Sequence, residues 1–301
     1  MVCKARGGGF GDVMPLLLMA TMVTQTHGLA RGRHAIDSLA SSITGRVGAA
    51  AMIVETGDVV SSRGNERFPM QSVYKLPIAM AVLRRVDAGN LKLSEEIHVR
   101  KVDMVPGIHS PIRDMSPNGT RLSTRELMRA AIVESDGTAS DMLLVWASPA
   151  AVTKMVRKLG IDSMTIATTE RAMAADPMMQ YKNWSTPLAA VQLLRALQGR
   201  RGVSAPSRVL LTGWLTETTI GEKRIKALLP AGTAVAHKTG TDNTRNGMTR
   251  ATNDVGIVTL PNGQHLAVAV FVKDSKSSEE QRESVIAKIA RAAWDAATRK
   301  R

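Results

Sequence analysis

The sequence has a single cysteine, Cys3, and few aromatic side chains. With one cysteine, no disulfide bond can form within the chain. Phenylalanine, tryptophan and tyrosine make up only 3% of the 301 residues, whereas methionine occurs 17 times. A core of this composition must consist mainly of aliphatic and thioether side chains. Because 44% of the residues are hydrophobic, the chain can bury a large core, in one large domain or two.

No apolar run is long enough to span a bilayer, but the N-terminus has the pattern of a secretory signal. Lys4 and Arg6 precede an apolar run at residues 13–23, and residues 28–30 (Gly-Leu-Ala) have a small-x-small cleavage pattern. We expect residues 1–30 to be removed. The mature protein would be periplasmic or secreted, with no stable membrane insertion after cleavage. The alternative is a disordered or misassigned start of the chain.

Positive charge dominates the composition. Lys and Arg number 40 against 26 Asp and Glu, which gives a formal net charge of +14. Such a chain can bind acidic partners, but its basic residues are dispersed and have no aromatic side chains interleaved among them. We therefore expect no nucleic-acid partner. No metal is expected either, because four histidines are scattered without the spacing of metal ligands: His34, His98, His109 and His237.

Residues 71–83 begin with Gln-Ser-Val-Tyr-Lys and continue as an apolar run. A helix that is apolar nearly all round is buried. Ser72 and Lys75 lie three apart on one face of its first turn, where free N–H groups favour a developing oxyanion. Serine needs an adjacent base to become a nucleophile, and a buried lysine loses its proton more easily than one in water. Because Ser-x-x-Lys also occurs by chance, the pair alone does not define a site.

Strand patterns occur at both ends of the chain, and helical patterns fill the middle. The five strand patterns lie at residues 48–54, 59–60, 233–238, 254–258 and 265–272. Helical patterns lie at residues 34–43, 123–133, 138–146, 150–159, 187–197, 207–215 and 279–298. Residues 100–120 and 166–184 show no regular pattern. We predict an α+β protein with an antiparallel five-stranded sheet domain (residues 31–68 and 215–301) and an inserted all-α domain (69–214).

Two further motifs carry polar side chains. Residues 238–241 (Lys-Thr-Gly-Thr) directly follow a strand pattern, and glycine at a strand edge lets a ligand approach closely. The backbone N–H of Thr241 could pair with that of Ser72 as an oxyanion hole. Ser135, followed by Asp-Gly, offers a second hydroxyl for proton relay.

In this order, Ser72-x-x-Lys75, Ser135-Asp-Gly and Lys238-Thr-Gly resemble the motifs of the serine β-lactamase and penicillin-binding protein superfamily. The resemblance spans nearly the whole mature chain. It is strongest to class A β-lactamases, and among them to the PER-type extended-spectrum branch. This closer likeness is carried by residues 71–76, 180–184, 228–233 and 236–241. The predicted architecture is therefore a three-layer α/β/α sandwich with the active site between its two domains.

The resemblance implies that the chain hydrolyses the β-lactam ring of penicillins and cephalosporins, which are small-molecule substrates, and so confers antibiotic resistance. The implied catalytic residues are Ser72, Lys75, Ser135, Glu170 and Lys238. Glu170 lies in the unpatterned segment 166–184, where a carboxylate over the serine can activate water as a general base. Whether Lys75 or Glu170 is the base for acylation stays open. No cofactor is implied, and we expect a monomer.

The resemblance also implies a set of substrate-binding residues: His109, Gly137, Arg224, Thr239, Gly240 and Thr241. Arg224 matches the position where PER-type enzymes carry an arginine that pairs with the substrate carboxylate. Arg245 and Arg250 are rival candidates for that role, and any of the three could instead be an ordinary surface charge.

Three residues depart from the family pattern. Gly137 stands where the family usually has an asparagine whose amide holds the acylamino carbonyl of the substrate. Ala174 stands where an asparagine usually helps to position the hydrolytic water. His109 replaces an aromatic residue at the mouth of the pocket. All three positions bind substrate or water, and none of the changes removes a proton-transfer group.

Two other functions share these motifs. A penicillin-binding D-alanyl-D-alanine peptidase would be acylated but would release penicillin slowly, and Glu170 with its loop argues against it. A non-hydrolysing β-lactam sensor or inactive homologue is suggested by Gly137 and Ala174. Steady turnover of a β-lactam separates a hydrolase from both alternatives.

Overall fold

The computed structural model describes residues 1–2, 27–199 and 201–299. Lys4, Arg6 and the apolar run at residues 13–23, which carry most of the predicted export signal, lie outside the described residues. In the described part of the chain, no helix is long and apolar enough to cross a membrane.

The secondary structure has ten strands and eleven α-helices within the described residues. The strands are β1 (Arg46–Ile53), β2 (Val59–Ser62), β3 (Phe68–Pro69), β4 (Glu96–Arg100), β5 (Gly119–Ser123), β6 (Met164–Thr165), β7 (Trp184–Ser185), β8 (Val235–Thr241), β9 (Thr252–Thr259) and β10 (His265–Lys273). The helices are α1 (His27–Ala30), α2 (Arg33–Leu39), α3 (Lys75–Asp87), α4 (Pro111–Met115), α5 (Thr124–Val133), α6 (Gly137–Leu143), α7 (Pro149–Lys158), α8 (Glu170–Ala175), α9 (Pro187–Gln198), α10 (Ala205–Glu217) and α11 (Glu279–Thr298). Short 3₁₀ helices lie at Gln71–Tyr74, Lys101–Asp103 and Pro177–Lys182.

The main sheet has five antiparallel strands in the order β2-β1-β10-β9-β8. Its central pair joins the two ends of the chain, since β1 lies beside β10. Both strands are buried along nearly their whole length. Helices therefore cover both faces, which agrees with the continuous apolar runs in the sequence. The predicted sheet, built from both chain ends, is confirmed.

Alternation along β10 divides the sheet between two cores. Ala269 and Phe271 belong to the larger core, which extends into the middle of the chain. Val268 and Val270 belong to the smaller core, which also holds side chains of α1, α2 and α11. On the other face, α9 lies against β1 and β10. The layers are thus helices, sheet and helices, as predicted. The division into a sheet domain and an inserted all-α domain at residues 69–214 stays a prediction. Helix α9 belongs to that segment, yet it packs on the sheet.

Helix α3 forms the centre of the larger core. Every residue from Lys75 to Leu83 is buried, and α3 contacts α5, α6, α7 and α10. The buried helix predicted from residues 71–83 is confirmed. The sequence predicted Ser72 and Lys75 in the first turn of one helix. In the structure Gln71–Tyr74 forms a 3₁₀ turn, and the α-helix starts after it, at Lys75.

Two segments without a visible pattern contain short elements. At the two ends of the first, residues 100–120, β4 pairs with β5; only Val99 of β4 is buried, so no alternation marks that strand. Pro111 begins α4, at a position where a backbone N–H would have no partner within the helix, so its missing N–H costs no hydrogen bond. The Ser110 side chain accepts a hydrogen bond from the Arg113 N–H. In the second segment, the Thr169 side chain caps the six-residue helix α8. Helices this short cannot show helical periodicity.

Candidate active site

A cavity of about 420 Å³ opens between the end of β8 and the helical part of the chain. Eight of the predicted site residues line it: Ser72, Lys75, His109, Ser135, Glu170, Thr239, Gly240 and Thr241. Gly137, Arg224 and Lys238 are not among its lining residues, but each forms a hydrogen bond with a residue that is. Segments far apart in the sequence therefore meet at one cavity.

Strand β8 passes directly against the turn that carries Ser72. A Cβ atom at Gly240 would lie 2.3 Å from the Met70 carbonyl oxygen, so only glycine fits there. The Asn253 side chain on β9 donates to that same oxygen at 3.1 Å and to the Pro69 carbonyl at 2.8 Å. These contacts hold the two backbones together, so Thr241 stays close to the turn of Ser72.

Lys75 and Glu170 form a buried ion pair at the cavity wall. Lys75 Nζ lies 3.0 Å from Glu170 Oε1 and donates to the Ser135 carbonyl at 2.5 Å. The two side chains are only 2% and 10% exposed. Burial and the charge of Glu170 hold the pKa of the Tyr74 phenol well above its ordinary value. Tyr74 thus keeps its proton near the pair. An acid–base pair of this kind can accept and return a proton beside a nucleophile.

Ser135 also contacts Lys238, which lies behind the cavity wall. Lys238 Nζ donates to Ser135 Oγ at 2.9 Å and to the Thr239 carbonyl at 3.1 Å. Burial and the charge of Lys75 hold the pKa of Lys238 well below its ordinary value, against the opposing charges of Asp254 and Glu170. Ser135 has a φ of +57°, a conformation that non-glycine residues adopt rarely and mainly at functional sites.

Asp141 is a site residue that the sequence did not reveal. From α6 it accepts the backbone N–H groups of Glu170 at 2.8 Å and Arg171 at 2.9 Å, so it fixes the start of α8. Burial raises the pKa of Asp141 to about 6, although these two hydrogen bonds act in the opposite direction. In the sequence, Asp141 is visible only as a carboxylate one helical turn after Gly137. That position does not show that Asp141 binds the start of α8.

Asp136, in the Ser135-Asp-Gly motif, ties α6 to α4. Its carboxylate accepts from the N–H of Ala139 at 2.7 Å, as the N-cap of α6, and from the N–H of Ile112 at 2.8 Å. The Ser110 hydroxyl donates to it as well. Asp136 is fully buried, so this aspartate holds the Ser135 turn and does not itself reach the cavity.

Arg224 lies behind Thr241 and is 3% exposed. It donates to Glu283 at 3.1 Å, to the Asn253 carbonyl at 2.9 Å and to Thr241 Oγ1 at 2.9 Å. Of its two rivals, Arg245 lines the cavity and Arg250 is not among the lining residues. Arg224 therefore reaches the cavity through the hydroxyl of Thr241.

Ile108 fills the space beside Gly137. Its Cδ1 atom lies 2.1 Å from the position that a Cβ at Gly137 would take, and Ile108 itself lines the cavity. The neighbouring His109 accepts the Gly137 N–H on its carbonyl at 3.0 Å. Its ring Nε2 lies 2.8 Å from the Glu134 carbonyl. An apolar side chain from the 107–109 loop thus occupies the space that a longer residue at 137 would use.

The site consists of proton-transfer groups and backbone donors. Within residues 27–199 and 201–299, no cluster of three or more His, Cys, Asp or Glu side chains could hold a metal ion. A nucleophilic hydroxyl (Ser72), two candidate bases (Lys75 and Glu170) and a second buried lysine (Lys238) can perform acyl transfer in two steps.

The chain is similar in sequence to known β-lactamases. The model of the β-lactamase enzyme family matches residues 32–297. Extended-spectrum β-lactamase PER-1 of Pseudomonas aeruginosa is 40% identical over 231 residues, which cover 76% of this chain and 75% of that protein. β-Lactamase VEB-1 of Pseudomonas aeruginosa is 37% identical over 263 residues, which cover 86% and 88%.

A solved structure supports the same assignment. The crystal structure of a β-lactamase from Chitinophaga pinensis is 45% identical and superposes with a TM-score of 0.86. The match covers 89% of this chain and 100% of that one. The family model spans nearly the whole described chain, and these relatives share its fold over most of their length. The chain therefore belongs to the β-lactamase enzyme family, as a class A serine β-lactamase.

Proposed function

We propose that the chain hydrolyses the β-lactam ring of penicillins and cephalosporins and so confers resistance to them. The observation that carries this proposal is the buried carboxylate of Glu170, 3.0 Å from Lys75 Nζ in the cavity that Ser72 also lines. A nucleophile alone would leave a stable acyl-enzyme. A second base beside it can release the acyl group to water.

In the first step, Ser72 Oγ attacks the carbonyl carbon of the ring and gives its proton to Lys75 or Glu170, the two candidate bases. The backbone N–H groups of Ser72 and Thr241 donate to the oxygen that gains negative charge. The C–N bond then breaks. The ring nitrogen takes a proton from Ser135, and the proton that the base removed from Ser72 passes to Ser135 Oγ, which also accepts a hydrogen bond from Lys238 at 2.9 Å.

In the second step, Glu170 takes a proton from a water molecule, which attacks the ester carbonyl carbon of the acylated Ser72. The ester C–O bond breaks, and Ser72 Oγ regains the proton that Glu170 took from water. Asp141 supports this role, because its bonds to the N–H groups of Glu170 and Arg171 hold the first turn of α8 at the cavity.

Substrate binding rests on the β8 side of the cavity, where Thr239 and Thr241 line the wall and Arg224 lies behind Thr241. Because Thr241 Oγ1 accepts from Arg224, its own hydroxyl hydrogen is free to donate to the substrate carboxylate. Arg224 then acts on the substrate through Thr241, behind which its positive charge lies. We propose a monomer as the working form.

Turnover by the purified mature protein tests the function. We expect steady hydrolysis of a chromogenic cephalosporin, and we expect Ser72→Ala to abolish it because the nucleophile is lost. A single burst without turnover would support the peptidase or the sensor. Full activity in Ser72→Ala would contradict the proposed mechanism.

Gly137→Asn tests whether the missing amide limits the enzyme. One neutral hydrogen bond to the acylamino carbonyl is worth up to about tenfold in a rate or equilibrium constant. Since Ile108 occupies the adjacent space, Gly137→Asn combined with Ile108→Ala should raise kcat/KM for an acylamino cephalosporin by up to that factor over Ile108→Ala alone. The gain from Gly137→Asn by itself should be smaller.

The control substrate is a β-lactam without an acylamino group, for which we expect no comparable gain. If the asparagine lowers kcat/KM for both substrates, the pocket has been rebuilt around glycine and no contact is missing at residue 137.

We also propose that the chain is exported and loses its first residues. Leu29, within the predicted cleavage pattern, is 3% exposed and belongs to the smaller core. Burial of a leucine side chain contributes about 1.5–3 kcal/mol, so cleavage that spares Leu29 keeps the more stable protein. This burial favours cleavage before Leu29, slightly earlier than the removal of residues 1–30 expected from the sequence, so N-terminal sequencing of periplasmic protein should begin at or just before Leu29. An intact Met1 on active protein would refute the proposed cleavage.

A further inference from the structure

The side chain of Gln180 connects two walls of the cavity. It lies in the 3₁₀ helix Pro177–Lys182 and is 1% exposed. Its Nε2 group donates to Asp242 Oδ2 at 2.9 Å and to the Pro177 carbonyl at 2.8 Å, while its Oε1 accepts from Gln71 Nε2 at 2.8 Å. Every hydrogen atom of this amide and one lone pair of its oxygen are therefore used.

The residues at the two ends of this relay adjoin the reacting groups. Gln71 directly precedes Ser72 and has a φ of +45°, which residues other than glycine hold only where their surroundings impose it. Asp242 directly follows Thr241 at the end of β8. Gln71, Gln180 and Asp242 all line the cavity.

We propose that Gln180 is a positioning residue for acylation: its amide ties the turn of Ser72 to the end of β8 and so fixes the spacing of the Ser72 and Thr241 N–H groups. This inference rests on the proposed function, in which those two groups stabilise the oxyanion. A small change in their spacing weakens stabilisation of the transition state, because the donors act only within hydrogen-bond reach of that oxygen.

Only an amide suits this position. Gln71 presents a donor and Asp242 presents a carboxylate, so the residue between them needs an acceptor at one end and a donor at the other. Glutamate has the same shape but no donor when ionised. Methionine fills a similar volume and makes neither bond.

Charges around Asp242 define how a glutamate would behave there. Arg245 Nη1 lies 3.4 Å from Asp242 Oδ1. Nearby, burial and the hydrogen bond to Asp274 raise the pKa of the Tyr181 phenol. The charge of Asp242 raises this pKa further, and the charge of Arg250 lowers it. Gln180→Glu would set a second carboxylate against Asp242. Two carboxylates at this distance share a proton, and the pKa of one rises.

The test is single-turnover kinetics of Gln180→Glu in the full mature protein with a chromogenic cephalosporin, read as a ratio to wild type at each pH. At about pH 8, where both carboxyls are ionised, acylation should fall at least about tenfold, because the lost hydrogen bond leaves one buried carboxylate facing another. Towards about pH 5.5 the ratio should recover, since a protonated carboxyl again donates to Asp242. Deacylation should fall as well, because attack by water forms an oxyanion that the same two N–H groups stabilise.

Gln180→Glu combined with Asp242→Asn supplies the decisive comparison. The asparagine amide can donate to the carboxylate of residue 180. The pair of residues then again carries a single negative charge and shares one hydrogen bond, as in wild type. Acylation should then return to within a few-fold of wild type and follow the wild-type pH profile. The matched control is Gln192→Glu, the same change on an exposed position of α9, which should leave all rates unchanged.

Three results would overturn the inference: wild-type acylation in Gln180→Glu, a pH ratio that stays flat, or no rescue by Asp242→Asn. If Gln180→Glu does not fold, the double variant is compared with Gln180→Met instead. The double variant must then acylate at least tenfold faster, and equal rates would reject the relay. If the wild-type protein does not turn over the cephalosporin, the proposed function is rejected. This outcome is distinct from the three results that would overturn the role of Gln180.

Discussion

The buried ion pair between Lys75 and Glu170 is the interaction on which the site depends. Burial of an ion costs several kcal/mol even after relaxation, so such a pair persists only where its geometry and hydrogen bonds are good. Both partners begin a helix that other elements fix. Lys75 starts α3, which is buried from its first turn, and Glu170 starts α8, whose first N–H groups bind Asp141. The packing of α3, α6 and α8 therefore determines where the bases lie.

A second constraint is the close approach of two backbones. Gly240 admits the Met70 carbonyl where any side chain would collide with it, and Gln180 joins the residues that flank this contact. The positive charge of Arg224 is buried on the β8 side, where it donates to Thr241 Oγ1. The cavity thus separates a side that can bind an anionic substrate from a side, at Glu170, that can activate water.

Local signals in the sequence predicted much of the fold. The periodicity at 279–298 gave α11 its bounds, the Ser123–Glu126 capping box begins α5, and the apolar runs became β9 and β10. Contacts between distant segments left no such signal. Asp141 became recognisable only once α6 packed against α8, and Ile108 only once its loop lay beside Gly137. Glu170 was assigned by family resemblance, because six residues of α8 cannot show a period.

Whether Glu170 releases the acyl group is decided most directly by intact-mass spectrometry of Glu170→Ala after it is mixed with a penicillin. A general base typically contributes about a hundred- to ten-thousand-fold in rate. We therefore expect a one-to-one penicillin adduct on Ser72 that persists in the variant, while wild type returns to its unmodified mass. Loss of the adduct from Glu170→Ala as fast as from wild type would contradict the role of this carboxylate.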